Sequence, residues 1–290
     1  MQTKQTITNL NNHRPSAASV IVAFGLLSIL FAVRGTAQEQ ENPFRDPAAP
    51  IVFQAAGAST ESIQSSVDAF RAALGIPNNG NNPGPLSHGR REINWDGGNP
   101  NILDTTAPVT PFNVFLNTRG SQFTTPGIGL SQAPPSGGPQ GGLAVLFGNA
   151  NYAKTFRTFS PSRLFTPVGS NVTNVSFFIP GTNGTVPAVV RGFGAVFTDV
   201  DQPDGKGPVP HKGSTLIEYL DKDSKVLFTS FVPASPGDGN LSFFGIVFGD
   251  ARIAAVRIKT GDTAPGPNDD AHHDIVMMDD FIYGEPHFVK

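Results

Sequence analysis

The chain contains no cysteine in 290 residues, which excludes disulfide staples and catalytic thiols together. Charged residues are scarce at 15%, the formal net charge is −3, and no basic cluster is present. Nucleic-acid binding is thereby disfavoured, because phosphate contacts need concentrated Lys and Arg. There are only six glutamates, at Glu39, Glu41, Glu61, Glu92, Glu218 and Glu285. The tight Glu-x-Asp-x-x-Glu arrangement of jelly-roll glucanases is missing, as are a Gly-x-Ser-x-Gly elbow, a Walker loop and a dinucleotide fingerprint. One Trp and three Tyr leave few aromatic platforms for sugar rings.

What is abundant is glycine and proline. With 32 and 26 residues they make up a fifth of the chain, against an average near 12%. Such a composition argues against helical bundles and doubly wound α/β enzymes. The 23 phenylalanines and 38% hydrophobic residues argue equally against wholesale disorder. A mainly β protein with long loops satisfies both.

The N-terminal segment reads as a secretory leader over residues 1–37. Lys4 and Arg14 precede an apolar run from Ala17 to Val33, and Gly35 and Ala37 supply the small residues that signal peptidase requires. Retention of that run as an anchor is the alternative. Cleavage leaves 17 basic and 23 acidic residues, no further membrane segment, and a secreted or periplasmic product. Pro43, Pro47 and Pro50 mark residues 38–58 as a flexible linker.

The remainder, 59–290, reads as a single domain. Ile63, Val67, Phe70 and Leu74 recur with helical spacing, predicting one N-terminal helix over Thr60 to Leu74 with Ser59 or Thr60 as its cap and Gly75 after its end. Two turn-rich passages follow, Ile76 to Gly89 and Thr125 to Gly142, each a surface loop or the wall of a site. Apolar runs at Val172 to Ile179, Val189 to Thr198, Thr215 to Leu220, Val226 to Val232, Leu241 to Phe248, Ile253 to Ile258 and Ile275 to Tyr283 read as strands. Ile93 to Trp95, Phe112 to Leu116 and Gln122 to Thr124 add earlier ones. This pattern predicts an antiparallel jelly-roll-like β-sandwich with one N-terminal helix.

Several passages carry a resemblance: Phe70 to Gly75, Gly89-Arg90-Arg91-Glu92-Ile93-Asn94-Trp95-Asp96-Gly97, Phe123 to Gly127, Gly192 to Asp201, and Met278-Asp279-Asp280-Phe281-Ile282-Tyr283-Gly284. Together they resemble a set of secreted bacterial β-sandwich proteins, similar to extracellular domains of PEP-CTERM-sorted proteins. The resemblance implies a jelly-roll fold outside the cytoplasm and no particular reaction. The sequence ends at Gly284 to Lys290 without the apolar sorting anchor, so a soluble product is expected.

Two acidic stretches offer hard oxygen ligands for Ca²⁺. Asp199, Asp201 and Asp204 lie within six residues ahead of Gly205, and a solvated Asp-Pro-Gly turn explains them as well. Asp262, Asp269, Asp270, Asp274, Asp279 and Asp280 form the second set. Neighbours on a strand point to opposite faces, so one of Asp279 and Asp280 is expected to point inward, to a metal, an arginine or backbone amides. The resemblance favours the metal; an edge-strand charge is the plain alternative. His272 and His273, with His211 or His287, give only a weak zinc pattern. Trp95 with Asn94 and Asp96 makes one candidate sugar subsite, or Trp95 is a core-edge indole. Glu92 with Asp96 is the best carboxylate pair for hydrolysis, although Arg90 or Arg91 can simply pair with one of them. No catalytic residue is assigned. The expectation is therefore a non-catalytic secreted protein that binds calcium structurally and contacts an extracellular glycan or envelope surface. A hydrolase on polysaccharide or ester and a purely structural envelope or matrix protein are the alternatives.

Overall fold

A computed structural model describes residues 49–97, 103–137, 141–201, 215–267 and 273–290. The expected leader, residues 38–48 of the expected linker, and Asp204, His211, Asp269, Asp270 and His272 lie outside the described residues. The protein is mainly β, built from antiparallel sheets with few helices.

The linker reading extends too far. Beyond Pro50, Ile51–Gly57 form strand β1, paired residue for residue with Val247 to Leu241. Ile, Val and Phe at its start suit a pleated strand, and no proline interrupts it. Helix α1 then spans Thr60–Leu74 as the periodicity predicts, with Ile63, Val67, Phe70 and Leu74 buried. Ser59 occupies the N-cap without a side-chain cap bond. Gly75 takes φ 106°, and its N–H returns to the carbonyls of Arg71 and Ala72.

The chain continues through β2 (Arg90–Ile93), helix α2 (Leu116–Arg119), β3 (Ser121–Thr124), β4 (Gly129–Ala133), helix α3 (Leu143–Phe147) and helix α4 (Tyr152–Thr155). Next come β5 (Leu164–Val168), β6 (Val172–Phe177), β7 (Ala188–Val189), β8 (Gly192–Thr198) and β9 (Leu216–Leu220). It closes with β10 (Val226–Phe231), β11 (Leu241–Val247), β12 (Ala255–Lys259), β13 (Met277–Gly284) and β14 (His287–Phe288). One sheet has the order β1-β11-β8-β13-β5-β4, with β2 also on β13; the other runs β10-β9-β12-β6-β3.

Three expectations fail locally, the first being the strand from Ile93 to Trp95, since β2 ends at Ile93. The passage from Thr125 to Gly142 is not loop throughout, since β4 lies inside it and pairs with β5. Phe112 to Leu116 is not a strand: Phe112 makes an isolated bridge to Phe123, and Leu116 begins α2.

A single apolar cluster draws on both sheets, with Phe193, Phe197 and Phe281 from the first and Val175, Tyr219 and Val256 from the second. The other face of the first sheet receives α1. There Ile63, Val67, Phe70 and Leu74 meet Val196, Phe243 and Ile282. Gly194 and Gly245 face each other across β8 and β11, and a Cβ on either would lie 2.9 Å from the Phe70 ring. That pair of glycines sets how deeply the helix seats, and so where Arg71 in its last turn is carried.

Candidate functional site

Beside α1, the first sheet carries a polar cleft of about 350 Å³. Helix α1 contributes Arg71, β2 and the residue after it contribute Glu92 and Asn94, and β13 contributes Asp280. Helix α2 adds Arg119, and two loops add Asn78 and Ser160. Every lining side chain carries a hydrogen-bonding group.

The feature that builds this cleft is a β-bulge. Met278 pairs with Phe197 and Phe281 with Ala195, so Asp279 and Asp280 together oppose Val196 alone. Two residues against one cancel the alternation of the pleat. Met278 and Phe281 both enter the inter-sheet core, and both carboxylates turn to the helix side, where each meets Ser160. The expectation that neighbours diverge is corrected by this extra residue.

Asp279 is fully buried. Its Oδ2 accepts the backbone N–H groups of Phe159 (2.5 Å) and Ser160 (3.3 Å), and its Oδ1 accepts that of Asp280 (2.8 Å). Burial, and then the charge of Asp280, push its carboxyl well above the usual range. Asp280 receives the Ser160 hydroxyl at 2.5 Å and the Arg71 guanidinium at 3.5 Å. Burial raises its carboxyl too, opposed by those two partners.

Arg71 spans the cleft. Its Nε and Nη2 donate to Glu92 Oε2 at 3.1 and 2.9 Å, while Arg90 Nε donates to Glu92 Oε1 at 2.6 Å. Burial alone would lower the Arg71 guanidinium, and Glu92, Asp68 and Asp280 more than reverse this, leaving it raised.

The walls are tied down from below. Arg91 and Glu285 form a buried bidentate pair at 2.8 and 2.7 Å. Glu285 also accepts from Asn79 Nδ2 and Leu86 N–H, and Arg91 also donates to the carbonyls of Gly80, Asn82 and Thr118. One ion pair thus anchors the Asn-rich loop within Ile76 to Gly89 (Asn78, Asn79, Asn81 and Asn82) and the end of α2 to the sheet. The Phe159–Arg163 loop is held at both ends by carboxylates. Asp279 takes the N–H groups of Phe159 and Ser160, and Asp96 Oδ1 takes those of Ser162 (2.8 Å) and Arg163 (2.9 Å).

Of the three residues of the expected sugar subsite, Asn94 and Asp96 stay together, Asn94 Nδ2 donating to Asp96 Oδ2 at 3.1 Å, while Trp95 turns away. Asn94 lines the cleft, and Asp96 holds the 162–163 backbone. Trp95 is fully buried and stacked on Phe165 with ring centroids 3.7 Å apart, so it offers no face to a sugar. Of the expected hydrolytic pair, Glu92 is held by Arg90, as the simple ion-pair alternative has it, and by Arg71; Asp280, not Asp96, lines the cleft with it.

Of the expected calcium ligands, Asp204 lies outside the described residues, and Asp279 and Asp280 are engaged by protein groups. Asp279 and Asp280 spend their oxygens on N–H groups, a hydroxyl and a guanidinium, all of which present positive charge to the carboxylates. Asp199 is buried at φ 68°. Asp201 Oδ1 accepts the N–H of Gly237, and its own N–H donates to Asp274 Oδ1. Among the described residues, no group of three His, Asp or Glu side chains is placed to hold a metal ion. No described helix is long and apolar enough to cross a membrane.

Sequence reasoning missed Ser160, Arg71, Arg119 and Asn78. The Asn-rich loop was the one available signal, as a candidate wall. No family model matches the chain, and neither the curated proteins nor the solved structures contain a match.

Proposed function

We propose that this chain is a non-catalytic, exported jelly-roll-like protein that binds a saccharide group of an extracellular glycan or envelope surface in the polar cleft. One observation carries the reading: a cleft of about 350 Å³ lined throughout by Arg, Asn, Ser and carboxyl groups. Small-molecule sites span roughly 300–1,000 Å³ and are mostly apolar. A cleft with no apolar lining side chain selects a ligand covered in hydroxyl groups, since a less polar one would leave these donors and acceptors unpaired. The anchoring of both loops supports binding without rearrangement, which lowers its entropic cost.

The test is calorimetric titration of the full chain with a panel of oligosaccharides, repeated with Asn94→Ala and Asn78→Ala. Saturable binding that weakens by on the order of tenfold in each variant is expected. Binding unchanged by both substitutions, or no binding across the panel, contradicts the reading.

Hydrolysis of a polysaccharide or ester is the second reading, favoured by a raised Asp280 carboxyl beside Glu92. Against it, both oxygens of Glu92 are engaged by arginines, which blunts it as a base or nucleophile. Turnover of the panel that is lost in Asp280→Asn and Glu92→Gln would favour hydrolysis over simple binding.

A further inference from the structure

Building on the saccharide reading, we propose that the ligand is an acidic sugar and that Arg119 receives its carboxylate. The arginines around this cleft are unequal. Arg71 and Arg90 are paired with Glu92, and Arg91 with Glu285. Arg119 lines the cleft and has no carboxylate partner among the described residues. Its Nε donates to Asn81 Oδ1 at 3.0 Å, its guanidinium carbon lies 5.2 Å from the Phe115 ring centroid, and its two terminal nitrogens take no hydrogen bond among the described residues.

This free end is held in position. The Arg119 carbonyl accepts the Tyr283 hydroxyl at 3.0 Å, and Arg91 donates to the preceding carbonyl of Thr118. Gly120 closes α2 at φ 72°, where a Cβ would lie 2.1 Å from the Phe178 carbonyl oxygen. Partial burial lowers the Arg119 guanidinium and Arg91 adds to this, against the opposing influence of Tyr283 and Glu92. An anion brought into the cleft relieves both effects. The two terminal nitrogens form a fork that matches a planar carboxylate, while the amide groups of Asn78 and Asn94 remain for hydroxyl groups.

The experiment titrates the full chain with a hexuronic-acid oligosaccharide and with its carboxyl-reduced neutral counterpart, using wild type, Arg119→Gln and Arg119→Lys. Wild type is expected to bind the acidic form on the order of 10–100-fold more tightly. Arg119→Gln should erase that preference and Arg119→Lys keep part of it. Raising salt on wild type should weaken only the acidic form, which supplies a readout that needs no variant. Equal affinity for the two forms, unaffected by Arg119→Gln, overturns the role of Arg119 and leaves saccharide binding standing. Failure of wild type to bind either form overturns both.

Discussion

The two faces of the first sheet are built by different rules. Toward the second sheet, Phe193, Ala195 and Phe197 follow the ordinary alternation of a strand and enter an aromatic core. Toward α1, the same strands present two facing glycines, a bulge with two carboxylates, and a cleft ringed by arginines. The core face needs only apolar side chains at every second position. The helix face depends on register, on one extra residue, and on partners far away in the chain. The proposed binding belongs to the second.

The largest expected effects test whether the faces are separable. Removing one member of a buried ion pair costs about 3–5 kcal/mol, and Arg91→Ala should do so while loosening the Asn-rich loop. Phe165→Ala, beneath Trp95, should cost about 3–5 kcal/mol as well. Urea unfolding measures both. Saccharide affinity of the folded fraction should fall only for Arg91→Ala, and an equal fall in both would merge the two faces into one unit.

Gly245→Ala probes the seat of Phe70. Overpacking of this kind costs about 1–3 kcal/mol, and lifting α1 should also withdraw Arg71 from Glu92 and weaken binding. Unchanged melting would show that the helix seats without the glycine pair.

The acidic pair gives the helix face a pH signature. Folding raises Asp279 and Asp280 above the free value of 3.8, so the native state holds their protons more tightly than the unfolded chain. Their contribution is complete below about pH 4 and fades as pH climbs through the folded values. The melting temperature of wild type relative to Asp279→Asn should therefore decline from mildly acid to alkaline pH. Parallel curves for the two proteins would contradict this.

The smallest expected effect lies at the Asp199–Asp201 segment. Chelator or added calcium should leave melting unchanged, and Asp201→Ala should stay within about 0.5 kcal/mol. A calcium-dependent rise in melting would restore the metal there.

Legibility in the sequence follows the same division. Helix α1 and most of the late strands announce themselves because their periodicity is local, with Ile63, Val67, Phe70 and Leu74 as the plainest case. Strand β4 is hidden because Gly129 and its proline-bearing flanks look like loop until β5 pairs with it. The bulge is invisible because Met278-Asp279-Asp280-Phe281 fits an alternating strand until the register against β8 is known. Arg91 and Glu285 are 194 residues apart, and no spacing rule joins them. Glu92 is legible as a chemically interesting residue, and so is its pairing with Arg90, but Asp280 in the same cleft is not, since it arrives from the other end of the chain.

The most direct test of a bulge-built binding cleft is a map of backbone amide shifts during titration of the full chain with the saccharide it binds best. The amides of Asn78, Asn94, Arg119, Ser160 and Asp280 should move together and saturate at one affinity. Shifts confined to the Asp199–Asp201 segment, or to strands remote from α1, would contradict the account.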